Sequence, residues 1–444
     1  MNNRNLLGMF IVCGVFCLLT LLTGCKATQQ KSLSEIASET EEKSLLEIAV
    51  ETEENYYLNE EQLKIVRNGN DFSFELFKKM AENERETNVF VSTIGLFYSL
   101  NIINNGASGH TRQEICNALN IDSTEIEHIN KLCRRFTIGQ AKVTEDDFFG
   151  PSSYMRTATL FQTGKLVDLD ESFQEVLGHD YFAGIINSDV DSAMQYKIDK
   201  WCEEQTEGLL CSFPVKQQED RSANLLVANY FNGRWVQKFN KEDTKEEPFH
   251  DGISSMVNMM NRTEVEEVFS YAKLSGFSLL RMPYVGGYLL YIILPDKTDG
   301  LIRLLQSLNG NKLRSAISQL KSYDFIYVKI PKFEVDYSFK ANNYLASLGI
   351  SKMFSDSAEL DRIQSEPMKI TDITQMAKVI MDEDGTRAGS ITSSSFATLS
   401  ERVDPTEAYF YADHPFAYII EDPFGNYCFM GTFWGGIMSI RHNQ

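Results

Sequence analysis

Long apolar or alternating runs at 223–231, 279–294, 323–333, 376–381 and 417–433 constrain the fold of this chain more than any other feature. Side chains on a strand alternate between faces, so runs of this length and period read as strands, some of them buried on both sides. Upstream the period changes. Phe72, Leu76, Phe77 and Met80 recur at helical spacing within 70–81, and a second apolar helical run covers 94–104. The stretch 189–206 reads as a polar helix that turns Ile198 and Trp201 inward. Helices mainly first and long strands mainly later predict an α+β fold with large, mostly antiparallel sheets. Proline and glycine are scattered and no linker interrupts 63–444, so this span reads as one large domain.

The N-terminus lies outside that domain. A short positive segment ending at Arg4 precedes an apolar stretch, 6–22, that closes on Leu22-Thr23-Gly24-Cys25. This reads as a signal peptide, 1–24, rather than a membrane span. A small residue directly before cysteine resembles the bacterial lipoprotein box, which implies acyl chains such as palmitate on Cys25 and anchoring to a membrane surface. The expected location is the bacterial cell envelope, outside the cytoplasm, with the outer membrane favoured. Residues 25–62 then read as a tether. Within it, Lys31–Glu42 is followed by Lys43–Glu54, a tandem copy matching at ten of twelve positions. The acidic repeat buries too little to fold alone and self-repels, so it serves as a solvated spacer.

A formal net charge of -20 excludes nucleic acid as a partner, because phosphate binding needs a basic face. Cys116, Cys133, Cys202, Cys211 and Cys428 remain after the signal and Cys25, at unrelated spacings, and read as mostly buried free thiols. No HExxH, GxSxG, Walker loop or GxGxxG motif occurs, and the histidines show no metal-like pairing. Asp382-Glu383-Asp384-Gly385 has the start of a calcium loop without its later carboxylates. These observations imply no enzyme, no metal and no cofactor.

A strand-like run, 376–381, leads into Glu383-Asp384-Gly385-Thr386-Arg387-Ala388-Gly389-Ser390, then a Ser/Thr-rich stretch, then His414-Pro415-Phe416. Colinear with it stand Asn88-Val89-Phe90-Val91-Ser92, Trp201 with Thr206 and Gly208, Phe231 with Gly233, Trp235 and Phe239, Ile330-Pro331-Lys332-Phe333, and Phe429-Met430-Gly431. No one of these is specific. Together, from about residue 71 to 439, the chain resembles the serpin family. The resemblance implies helices around large, mostly antiparallel sheets with an exposed reactive-centre loop. It implies a monomeric suicide inhibitor of a serine or cysteine protease, trapped as an acyl-enzyme while the cleaved loop inserts as a strand. A non-inhibitory serpin acting as a binding or scaffold protein is the alternative.

Insertion between strands demands small side chains on the face that turns inward. Counting alternately from Thr386, that set is Thr386, Ala388, Ser390, Thr392 and Ser394, all small and uncharged. Glu383, Gly385, Thr386, Ala388, Gly389, Ser390 and Thr392 form the implied hinge, with Gly385 suited to the pivot. The family's loop length, carried over from Gly385, implies a scissile bond at Leu399–Ser400, fourteen residues on, a strand of roughly 50 Å. Leucine suits a chymotrypsin- or elastase-like pocket. The loop is longer than in many relatives, so Phe396, Thr398 and Arg402 stand as alternative reactive residues. The family's polar cluster under the opening sheet maps to Ser92, Val227 and Gln375, with departures. Thr93 replaces the usual proline, Gly95 a serine, Val227 an asparagine and Gln375 a histidine. Losing the asparagine at 227 removes a hydrogen-bonding partner worth about 1 kcal/mol, which implies a rewired gate.

Overall fold

The computed structural model describes residues 56–146, 149–187, 191–215, 220–264, 268–386 and 406–436. The first helix, α1 (Glu60–Asn83), is longer than the expected 70–81 and starts within the stretch read as tether. Asn59 is the cause. Its side chain accepts from the Gln62 backbone while the Gln62 amide accepts from the Asn59 N–H, and Glu60 and Glu61 occupy the electropositive first turn. The short strand β1 (Phe90–Ser92) runs directly into α2 (Thr93–Gly106), whose start is capped by the Ser92 side chain. The α2 sequence has no charged residue and is buried nearly all round, so it lies in the middle of the molecule.

Next come α3 (Gly109–Leu119), α4 (Ile126–Ala141), the small pair β2 (Glu145–Asp146) and β3 (Gly150–Pro151), and β4 (Tyr154–Thr163). They are followed by α5 (Glu171–Tyr181), β5 (Gly184–Asn187), α6 (Ser192–Gln205) and β6 (Ser222–Arg234). The strand-rich part holds β7 (Lys245–Phe249), β8 (Ser255–Glu264), β9 (Ser270–Leu274), β10 (Phe277–Pro283) and β11 (Leu289–Pro295). After α7 (Leu301–Ser307) and α8 (Gly310–Ile317) come β12 (Phe325–Pro331), β13 (Phe333–Lys340), α9 (Asn342–Ser347), β14 (Lys369–Asp382) and β15 (Gly385–Thr386). The last strands are β16 (Glu407–Tyr411), β17 (Phe416–Glu421) and β18 (Tyr427–Phe433).

The central sheet has the order β13-β14-β15-β6-β4-β5, with β14 also paired directly to β6. A second sheet runs β1-β18-β17-β11-β10-β9, and a third runs β16-β12-β8-β7. Antiparallel pairings predominate, as expected. The parallel ones among the described residues are β14 with β6, β4 with β5, and β12 with β16.

Alternation along β6 divides the apolar residues between two cores. Ala223, Leu225 and Phe231 face the main core, which α2 and the second sheet fill. Leu226 and Ala228 face the opposite side, where Ile198, Trp201 and Cys202 of α6 cover them. The central sheet is therefore buried on both faces along β6, which explains why 223–231 is apolar rather than alternating. No helix among the described residues is long and apolar enough to cross a membrane.

Candidate functional site: the hinge and the fork in the central sheet

At the top of β14 the chain turns back on itself. The Asp382 carboxylate accepts from the backbone N–H groups of Asp384 (2.9 Å) and Gly385 (3.2 Å), closing a tight turn. Beyond it, Gly385 and Thr386 already form a strand between β14 and β6. They pair with Asp382 and Met381 on one side and with Arg234 and Gly233 on the other. Only glycine fits at 385: its φ is 151°, and a Cβ would lie 2.0 Å from the Gly233 carbonyl oxygen. Thr386 points into the core, with its hydroxyl 2.7 Å from the Tyr284 hydroxyl. Tyr284 in turn stacks on Trp235 at 4.2 Å, and the Trp235 indole N–H donates to the Asp382 carbonyl at 3.0 Å.

The turn is clamped electrostatically. Glu383 is only 4% exposed and accepts from Lys332 and the Thr244 hydroxyl, each at 2.8 Å. Asp384 meets Lys238 at 3.1 Å and Lys241 at 2.8 Å. Burial pushes the Glu383 carboxyl upward, but the Lys332 and Thr244 hydrogen bonds and the Lys332 charge outweigh it, leaving it below its ordinary value. Burial opposes the Asp384 charge too, and Lys241 and Lys238 together bring it below the ordinary range. Asp382 goes the other way, raised by burial.

Below the hinge the sheet forks. From Lys369↔Ser222 up the ladder to Ala377↔Asn229, β14 and β6 are paired directly and in parallel; past Asn229 they part and β15 fills the gap. Ser92 and Gln375 meet beneath this ladder. The Gln375 amide donates to the Ser92 carbonyl and accepts from the Ser92 N–H, both at 2.8 Å, tying β14 to the start of α2. A glutamine in place of histidine can make this two-point contact because its amide carries a donor and an acceptor side by side. Val227 lies beside Gln375 in the ladder and is fully buried. It does not replace the missing asparagine, but Asn229 stands two residues further along the same face. A Cβ at Gly95 would fall 2.8 Å from Asn229 Oδ1 and 3.1 Å from Val227 Cγ1, so glycine at 95 makes room for the Asn229 side chain. Sequence reading missed Asn229. The available signal was an asparagine in an otherwise apolar strand, one side-chain period away from the position that lost its own.

The other expected site residues, Ala388, Gly389, Ser390, Thr392, Phe396, Thr398, Leu399, Ser400 and Arg402, lie outside the described residues, as does Cys25. Past the loop, β16 runs parallel to β12. The His414 ring then lies 2.7 Å from the Pro295 carbonyl through Nε2 and 2.7 Å from the Asp413 carboxylate through Nδ1, and Phe416 enters the core. Cys116, Cys133, Cys202 and Cys428 are buried free thiols, and Cys211 is an exposed one. Among the described residues no cluster of His, Cys, Asp or Glu is arranged to hold a metal.

The family model for serpin (serine protease inhibitor) matches residues 67–435. The chain is a serpin. It is 30% identical over 364 residues to the leukocyte elastase inhibitor of Xenopus laevis, covering 79% of this chain and 93% of that one. Serine proteinase inhibitor 2 of variola virus is 27% identical over 365 residues, covering 81% and 98%. Among solved structures, human thyroxine-binding globulin superposes with a TM-score of 0.73 at 18% identity, covering 84% of this serpin and 99% of that chain. The thermophilic serpin tengpin in its native state does so with a TM-score of 0.72 at 24% identity, covering 87% and 96%. Serpins as a family are protease inhibitors rather than enzymes.

Two predictions follow from the clamps in this serpin. Gln375→Ala strips both hydrogen bonds from the buried Ser92 backbone and should destabilise the closed form by about 2–4 kcal/mol. A lowered melting temperature would show it; an unchanged melting temperature would rule the clamp out. Glu383 and Asp384 have depressed values in the folded state, so their stabilisation is present above about pH 4 and is lost as pH falls through those values. Acidification should therefore speed uptake of a synthetic peptide of sequence 386–398 into the sheet, and Lys332→Met should speed it already at neutral pH.

Proposed function

We propose that this serpin is an inhibitory one, a suicide substrate for a serine or cysteine protease. The observation that carries the reading is the seating of Gly385 and Thr386 as a strand between β14 and β6. Extending their register down β6 pairs residue 397 with Ser222, where β6 begins, and extending it along β14 pairs residue 398 with Lys369, where β14 begins. A strand inserted from the hinge would thus be flanked on both sides through 397–398, and the next residue is Leu399. This supports Leu399–Ser400 as the scissile bond; a bond after Arg402 leaves several residues without flanking strands. Because Thr386 faces the core, Ala388, Ser390, Thr392 and Ser394 would share its face, and all are small enough to enter between packed strands.

In the proposed reaction the protease nucleophile attacks the Leu399 carbonyl carbon. The bond to the Ser400 nitrogen breaks, that nitrogen leaves as an amine after taking a proton, and Leu399 remains as an acyl-enzyme. Insertion then carries the acylated end to the far edge of the sheet before water can hydrolyse it. Leucine at the acyl side favours chymotrypsin- and elastase-like proteases. The Leu22-Thr23-Gly24-Cys25 sequence and the acidic tandem repeat support a lipid-anchored protein at the bacterial cell envelope, shielding that surface from proteases.

Mixed with a chymotrypsin-like protease, the domain should give a band at the summed mass on denaturing gels and release a peptide beginning at Ser400. A peptide beginning at Val403 would move the bond to Arg402; cleavage with no covalent complex and no gain in thermal stability would refute inhibition. Cell fractionation should find the full chain in the membrane fraction and Cys25→Ser in the soluble one, and a wholly soluble wild-type chain would exclude the anchor.

A further inference from the structure

One cation in the central sheet has no counter-charge. Arg234, the last residue of β6, is 7% exposed, and its Nε is sealed from solvent without a hydrogen-bond partner. Among the described residues no carboxylate reaches its guanidinium. The acids of the neighbouring turn are committed elsewhere. Asp382 accepts from two backbone N–H groups, Glu383 holds Lys332, and Asp384 is shared by Lys238 and Lys241. Arginine cannot shed its charge, and a buried charge is costly unless it is paired.

The backbone fixes where this guanidinium sits. The Arg234 N–H donates to the Ser153 hydroxyl at 2.9 Å, and its carbonyl accepts from the Val285 N–H at 2.7 Å. Phe231 and Trp235 have the opposite parity and face the main core, so the Arg234 side chain leaves from the other face of the sheet. Its partner across the ladder is Gly385, which has no side chain to cover it. Gly150 of β3 stands beside the charged end. Its φ is 74°, and a Cβ there would lie 3.6 Å from Arg234 Nη1 and 3.7 Å from Nη2. Glycine at 150 therefore leaves both terminal nitrogens uncovered by a side chain at that position.

We propose that Arg234, beside Gly150, is the centre of a binding site for a small free oxyanion of the inorganic phosphate or sulfate class. A guanidinium presents parallel N–H donors at the spacing of two oxygens on one such ion, and a bidentate pair of this kind is stronger than neutral hydrogen bonds. The small residual exposure favours a free ion over a charged group carried on a partner protein, which needs a wider opening. A net charge of -20 repels anions at long range, so binding comes from the short-range geometry of the fork and not from general attraction. The bound ion neutralises the buried cation and, because it binds the folded chain only, stabilises it. This site does not depend on the inhibitory reading.

Melting curves of the full chain in phosphate and in chloride at equal ionic strength test this, together with titration calorimetry using inorganic phosphate. Wild type should bind a single phosphate and melt about 2 °C or more higher in millimolar phosphate than in chloride. Arg234→Met removes the charge and should abolish both the binding heat and the phosphate increment. Arg234→Lys keeps the charge but loses the fork, and should weaken phosphate binding several-fold. Lys131→Met, at an exposed position on α4, controls for lost charge and should keep the full increment. A wild type without saturable phosphate binding overturns the proposal, and so does an undiminished increment in Arg234→Met. Where Arg234→Met fails to fold, Arg234→Lys decides: phosphate affinity equal to wild type overturns the site. A phosphoserine peptide that binds more tightly than free phosphate overturns the choice of a free ion.

Discussion

The rest of the structure turns on the direct pairing of β14 with β6. These strands run parallel from Lys369↔Ser222 to Ala377↔Asn229, and this contact alone stands where β15 begins to enter. A parallel ladder is slightly less stable per residue than an antiparallel one. A strand entering from the hinge exchanges that one parallel ladder for two antiparallel ones, since β15 already runs antiparallel to both neighbours. In the proposed insertion, strand direction would thus contribute in the forward sense before any side chain is considered. Side chains decide how firmly the closed arrangement resists it.

Two kinds of restraint oppose opening, at different heights. At the top the turn 382–385 is held by charge: Lys332 on Glu383, and Lys238 and Lys241 on Asp384. Lys241 is largely exposed, so its contribution is screened by solvent and salt, whereas Glu383 is buried and its pairing less so. Lower down the restraint is uncharged. Gln375 holds the Ser92 backbone from β14, and on the opposite face α6 covers Leu226, Ala228 and Met376. Between these levels lies Asn229, which restrains nothing in the closed form. Gly95 faces Asn229 and Val227, where a Cβ would crowd both side chains.

The junction between the central and second sheets is packed differently. Phe333, Phe416, Tyr418 and Phe433 interlock their rings, with Phe333 and Phe433 stacked at 4.7 Å, and all four are buried. This cluster joins β13 of the central sheet to β17 and β18 of the second. It fixes the two sheets to each other. The return of the chain after the loop is anchored in the same frame, because His414 bonds to Pro295 at the end of β11 and Phe416 follows into the core. In the proposed insertion the loop would pull against this packed base.

Periodicity located the most apolar strands and helices, because burial on one face or two imposes that pattern on any chain, but not the half-exposed β13 (Phe333–Lys340) or the first half of β14 (Lys369–Asp382). The run 223–231 and the helical spacing after residue 70 were legible for this reason. The early start of α1 was less legible, since it depends on a reciprocal pair of hydrogen bonds between Asn59 and Gln62 inside an otherwise acidic stretch. The fork was not legible at all. Which strand lies beside β14, in what direction and in what register, is decided by contacts between residues some 150 apart in the chain, as for Gln375 and Val227. The sequence by itself determined that position 227 lacks an amide and that 229 has one. Only the tertiary structure decided that Gly95 faces it, that Thr157 sits beside it unpaired, and that it stands where the sheet parts, because hydrogen-bond satisfaction is a property of packed neighbours and not of the order of residues.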